Sequence, residues 1–309
     1  MGNSFAALSI CAVALFLNLG LSATAKAQTI ENKDVFVLAD QLADEVELIR
    51  AVMGRPYDDS PRLPVSQALQ YEVYFQAQTL FRKANQLARE IAAAPRRRAA
   101  PAPERDIEPA DVYGLIEGAL EQVMLVKNEL GIEEQVQSQE RQASISATGI
   151  FLIIIDINRQ LNLLTSEAIR PADVYEEVSF AIVYAAALLA NRGIENLLPE
   201  VPFENYKRPA DVYGLLLECI EIVSEFAPKV GGEVLGVSSR RNVPDDIEPG
   251  HVYDIARILA ADLAHLASVL DVEEVYPGLG SAPKHVFPSH VFQRASVLQS
   301  QLLMLDDAL

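Results

Sequence analysis

Residues 208–223 read RPADVYGLLLECIEIV, and the string PADVY inside them recurs verbatim at Pro109 to Tyr113 and at Pro171 to Tyr175. Taking the Asp of this string as offset zero places the three copies at Asp111, Asp173 and Asp211. Looser copies are EPGHVY centred on His251, FPSHVF on His290, NKDVF on Asp34, QYEVY on Glu72 and ATGIF on Gly149. Offset +1 is Val or Ile in every copy. Offset +2 is always aromatic: Phe36, Tyr74, Tyr113, Phe151, Tyr175, Tyr213, Tyr253 and Phe292. Aromatic residues make up only 7% of the chain, so composition alone does not produce this agreement.

Beyond the aromatic, apolar residues recur at +5, +8, +12, +15 and +19. In the Asp211 copy these are Leu216, Cys219, Val223, Phe226 and Val230. Alternating steps of three and four are the seam of bundled helices. Arg192 is the one non-apolar residue on the seam, counting Ala as apolar. Each copy therefore predicts a helix of about 20 residues, ~30 Å long at 1.5 Å per residue. PADVY then reads as a helix-start cassette. Pro suits the first turn, where its missing N–H has no partner to lose. Asp sets a negative charge beside the positive helix end.

The zeros fall at 34, 72, 111, 149, 173, 211, 251 and 290, at intervals near 39 except for one of 24 in the middle. Such a period marks a repeat architecture. The predicted class is all-α: eight helices in two tandem, duplicated four-helix units, residues 28–169 and 170–309, behind a leader at 1–27. Long linkers rich in Pro, Gly and charge join the helices. They fit either parallel helices with long crossovers or up-down helices with generous loops. Val65 to Tyr71 is expected to extend the second helix backward. The join at Ile169 and Arg170 is too short for a crossover and implies an antiparallel hairpin between the halves.

The first 27 residues combine an apolar run with an Ala-x-Ala site, which predicts cleavage after Ala27 and a periplasmic or secreted protein. No second long apolar segment stands out, so no membrane span is expected after cleavage. The formal charge of −18 excludes nucleic acid or an anionic bilayer as a partner bound through a general field. Only Cys219 remains after cleavage, so no intramolecular disulfide is expected.

Four features are candidates for function. His251 and His290 replace Asp at offset zero and, with His285, are candidate metal ligands, although the spacing of a strong metal motif is missing. Tyr113, Tyr175, Tyr213, Tyr253 and Phe292 could rim an apolar pocket if the helices are parallel. Asp156 and Asn158 are out of place in the apolar run IIIDINRQ and are expected to bracket Ile157. Arg96, Arg97 and Arg98 form a basic spot in an extended linker. No catalytic motif and no cofactor is implied. The expectation is an exported, non-catalytic interaction, scaffold or sensor module whose partner is another envelope protein. The alternative is a small-molecule or metal-ion binding protein.

Overall fold

The computed structural model describes residues 29–58, 65–99, 103, 105–136, 145–165, 169–237, 246–272 and 275–309, so the leader lies outside the described residues. Among the described residues there are eight α-helices: α1 Asn32–Val52, α2 Gln70–Ala92, α3 Pro109–Glu129, α4 Ala147–Leu164, α5 Pro171–Asn191, α6 Pro209–Phe226, α7 Pro249–Val269 and α8 Pro288–Asp307. Every one begins two residues before its offset zero. A 3₁₀ turn, Ala227–Val230, prolongs α6.

The common start has a hydrogen-bonding cause. In each helix except α4, the offset-zero side chain reaches back to accept the backbone N–H three residues earlier. Asp34, Asp111, Asp173 and Asp211 do so at 2.7–2.9 Å, and Glu72 at 2.6 Å. His251 and His290 use Nδ1, at 3.0 Å in both cases. Gly149 has no side chain to offer, and Ser146 Oγ caps α4 from the other side by accepting the Gly149 N–H at 3.3 Å. One orphan N–H per helix start is thereby satisfied.

Helix ends also share a device. Offset +20 is a glycine in the left-handed region in four copies, Gly54, Gly131, Gly193 and Gly231, and Asp271 takes that conformation after α7. The following amide closes back onto the last turn, as Ile132 N does onto Lys127 O at 3.1 Å, which uses carbonyls the helix leaves free.

Between these punctuation marks the seam is the core. At offsets +1, +5, +8, +12 and +15 all eight copies are buried, none more than 5% exposed. Each such Val, Leu or Ile stabilises the fold by about 1.5–3 kcal/mol. At +19 the seam frays: Arg192 is exposed and Leu309 is 39% exposed.

The helices of each half are parallel. In the second half Pro171, Pro209, Pro249 and Pro288 converge with Val174, Val212, Val252 and Val291 at one end. Leu188, Phe226, Leu266 and Leu305 converge at the other. In the first half Gln70 Nε2 bonds Asn32 Oδ1 at the starts of α2 and α1, and Ala68 N bonds Thr148 Oγ1 at the start of α4. Phe81 lies against Gly118 of α3 so closely that a Cβ there would come within 2.8 Å of the ring. Parallel packing requires the chain to return along each helix. Residues 93–108, 16 in all, reach about 50 Å when extended, more than one helix length.

Both halves adopt the same ring. Around the first the order is α1, α3, α2, α4; around the second it is α5, α7, α6, α8. Each odd-numbered helix stands diagonally from the one that follows it, α1 from α2 and α3 from α4, whereas α2 and α3, and α6 and α7, are neighbours. Inside the first ring Lys127 and Glu45 form an ion pair only 3% and 4% exposed.

Two expectations are corrected. Val65–Gln67 is not a helical extension but a strand, β1, paired antiparallel with β2, Gly236–Val237, from the other half. Its backbone bonds across to the other half instead of along its own chain. α4 is long and apolar enough to cross a membrane by composition alone. Its apolar character is accounted for by packing on α1 and α2 on one side and on α7 on the other.

Candidate functional site: a basic cleft between the bundles

α7 carries few exposed positions, and its second face packs on α2 and α4. The two helices run antiparallel, because Tyr71 at the start of α2 meets Asp262 and His265 late in α7, while Lys83 meets Asp254 early in it. Polar groups fill this contact, and they divide into three clusters.

At the first, the Tyr71 hydroxyl lies 3.0 Å from Asp262 Oδ1, 3.1 Å from Glu72 Oε1 and 3.2 Å from Glu233 O. Glu72 and Asp262 are 1% and 0% exposed and hydrogen-bond one another. Burial raises both carboxyls, Glu72 to about 7 and Asp262 well above the usual carboxylate range. Near neutral pH the pair holds at least one proton, which joins the carboxyls instead of letting them repel. The His265 ring stacks on Tyr71 at 4.1 Å, and burial lowers its pKa.

At the second, Lys83 Nζ bonds Asn158 O at 3.2 Å and Asp254 Oδ1 at 3.5 Å, and Asn158 Nδ2 bonds Gln76 O at 3.2 Å. Burial lowers the Lys83 pKa, and Asp254 opposes the shift. Asn158 is fully buried, so it does more than bracket Ile157: it ties α4 to α2.

The third cluster opens to solvent. Arg82 Nη2 donates to the Tyr253 hydroxyl at 2.6 Å, and that hydroxyl donates to Glu177 Oε1 at 2.8 Å. Arg257 grips the same carboxylate at 3.2 and 3.3 Å. Burial and Glu177 push the Tyr253 phenol up to about 12, so it stays a donor. This chain forms the floor of a cleft of about 630 Å³ between the bundles. Arg82, Lys83 and Arg89 enter it from α2, Arg96, Arg97 and Arg98 from the segment after α2, and Arg170 and Arg257 from the second half. The facing carboxylates are Asp173, Glu176 and Glu177. A cleft with eight cationic side chains and three acids is the reverse of the protein's overall balance of 25 basic to 43 acidic residues.

The basic triplet is held in place. Asn85 Nδ2 bonds Arg97 O at 2.6 Å, and the Arg97 side chain pairs with Glu121. Periodicity did not disclose this site, since its residues lie off the seam and come from distant segments. A usable signal was present: α7 is apolar or small almost all round, which marks a helix buried on two sides.

The other sequence candidates fall elsewhere. His251 and His290 spend Nδ1 on their caps. His251 Nε2 faces Asp58 Oδ2 at 3.0 Å, whereas His290 sits between the rings of Phe203 and Phe287. His285 is exposed in the loop before α8. No three His, Cys, Asp or Glu side chains gather as a metal cage among the described residues. Of the aromatic set, only Tyr253 lines the cleft. Tyr213 is buried, Tyr113 partly so, Tyr175 lies under Arg294 and Phe292 under Lys207. The dimple where the second bundle's helices start is lined by Pro and Val instead of these rings. Comparison with known proteins adds no relative to this geometry: no family model matches the chain, and neither a curated protein nor a solved structure does.

Proposed function

We propose that the chain is an exported, non-catalytic binding protein that captures an anionic ligand in the cleft between its bundles. One observation carries the reading: eight cationic side chains converge on about 630 Å³ in a protein of net charge −18. A volume of that order suits a small molecule better than a flat protein epitope, which favours ligand binding over a scaffold role. The export component rests on the leader at residues 1–27. The two bundles are read as copies of one duplicated unit, supported by their shared ring order and helix starts.

The test is a thermal-shift panel of phosphates, polycarboxylates and acidic peptides on the wild type and on the triple variant Arg89→Gln, Arg96→Gln, Arg98→Gln. At least one anion class should raise Tm in the wild type, less so at high salt, and should lose that effect in the variant. Equal shifts in both proteins, or none in either, would overturn the reading.

A further inference from the structure

The charge ledger of the cleft specifies what it takes. Of its eight cations, Lys83 is matched by buried Asp254, Arg97 by Glu121, Arg170 by Asp173, and Arg257 by Glu177. Glu176 is the remaining acid on the wall. Eight cations against five carboxylates leave a surplus of three. Arg82, Arg89, Arg96 and Arg98 form no ion pair with any described residue; Arg82 is held by the Tyr253 hydroxyl, so the surplus stands on the other three, which are exposed and free to turn to a ligand. Seven of the eight cations are guanidiniums, whose planar forks suit the paired oxygens of carboxylate and phosphate.

Two further groups in the wall have bonding capacity that the protein does not use. Arg257 Nε is buried and donates to no described residue. Asn85, 4% exposed, leaves Oδ1 without a donor while its amide nitrogen holds Arg97 O. Both atoms are shut off from solvent, so each would meet a bound ion only if its side chain turned toward the cleft. Buried polar groups left in this way are costly unless something meets them.

We infer that the ligand is a compact oxyanion of about three negative charges, carboxylate or phosphate in kind, held by Arg89, Arg96 and Arg98 above the Arg82–Tyr253–Glu177–Arg257 floor. This rests on the anion-binding reading and narrows it by charge and size. Compactness follows from the enclosure, because a longer polyanion would have to leave the cleft onto an acidic surface. That surface repels it.

Titration calorimetry on the mature chain at pH 7 separates the outcomes. The trianions citrate and pyrophosphate distinguish the two sources of charge. Succinate and orthophosphate are their less charged counterparts, and a hexaglutamate peptide is the extended probe. Citrate or pyrophosphate should bind one to one, at least about tenfold tighter than its counterpart. That preference should vanish in the Arg89→Gln, Arg96→Gln, Arg98→Gln variant, whose exposed substitutions leave Tm in place. Counterparts binding as tightly as trianions would overturn the charge assignment, and binding of hexaglutamate alone would overturn compactness. Either result would leave the anion-binding reading standing. If no probe binds, both readings fail.

Discussion

At offset zero an imidazole does the work of a carboxylate. His290 Nδ1 accepts the Phe287 amide at 3.0 Å, as Asp211 Oδ2 accepts that of Arg208 at 2.7 Å. A cap of this kind contributes on the order of 1 kcal/mol. His290→Ala should therefore lower stability by about 1 kcal/mol, while His290→Asp, which restores a charge favoured at a helix start, should match or exceed the wild type. Urea denaturation of the two variants checks this. A loss in both would mean that the ring's contacts with Phe203 and Phe287, and not its nitrogen, secure the helix. The cassette was readable from PADVY because Pro and Asp act within four residues of one another. That His keeps the same bond was not readable, since it depends on which ring nitrogen faces the amide.

Among the elements, α2 and α7 differ most from what a seam alone predicts. Each buries a second face, and on it Glu72 serves twice, capping α2 through one oxygen and meeting Tyr71 and Asp262 with the other. Its carboxyl, ordinarily near 4.5, is raised to about 7. Between those values the folded chain holds a proton that the unfolded chain has released. Stability from this group is therefore complete below about 4.5 and is lost as pH rises through about 7. Asp262 shifts in the same direction. His265, with its pKa lowered, acts oppositely on the acid side as the unfolded chain takes up its proton, so the Glu72 contribution is best isolated by difference. Glu72→Gln should equal the wild type at pH 4.5 and be more stable at pH 8, by up to about 3 kcal/mol. Chemical denaturation at the two pH values measures it. A constant difference between the two proteins across that range would show that the carboxyl is not desolvated.

The same two helices explain where the sequence stopped being informative. Seam positions repeat every three or four residues and are apolar, so Leu80 or Leu259 identifies itself. Asp262, Asn158 and Lys83 are polar, sit off the seam and find partners 75 to 191 residues away, which no local pattern encodes. β1 was misread for a related reason: Val65 and Gln67 obtain their partners from Val237 and Gly236, far along the chain. The left-handed stops at Gly54, Gly131, Gly193 and Gly231 recur at offset +20 in four of the eight copies, a regularity that reading the seam alone passes over.

Across the whole molecule, the parallel rings impose a folding order. α1 and α2 are diagonal, so α1 finds its neighbours only when α3 and α4 have been made, and α5 likewise awaits α7 and α8. Helical proteins usually fold in microseconds to milliseconds because their contacts are local. Here the contacts are not, and refolding should extend into the range of milliseconds to seconds. Stopped-flow refolding would reveal this, and a microsecond phase carrying the full amplitude would contradict it.

The antiparallel meeting of α2 and α7 also sets where the ends of the outer helices lie. Since each ring is parallel and the two rings are opposed, the beginning of α1 and the end of α8 lie at one pole of the molecule, and the end of α4 and the beginning of α5 lie at the other. α1 stands diagonal to α2 and α8 diagonal to α7, so these two ends occupy the outer sides of the joined rings, and a linker from Asp307 back to Asn32 would have to cross both. Circular permutation of this protein therefore calls for a long linker across that pole, with new termini placed in a crossover that does not border the arginine cleft.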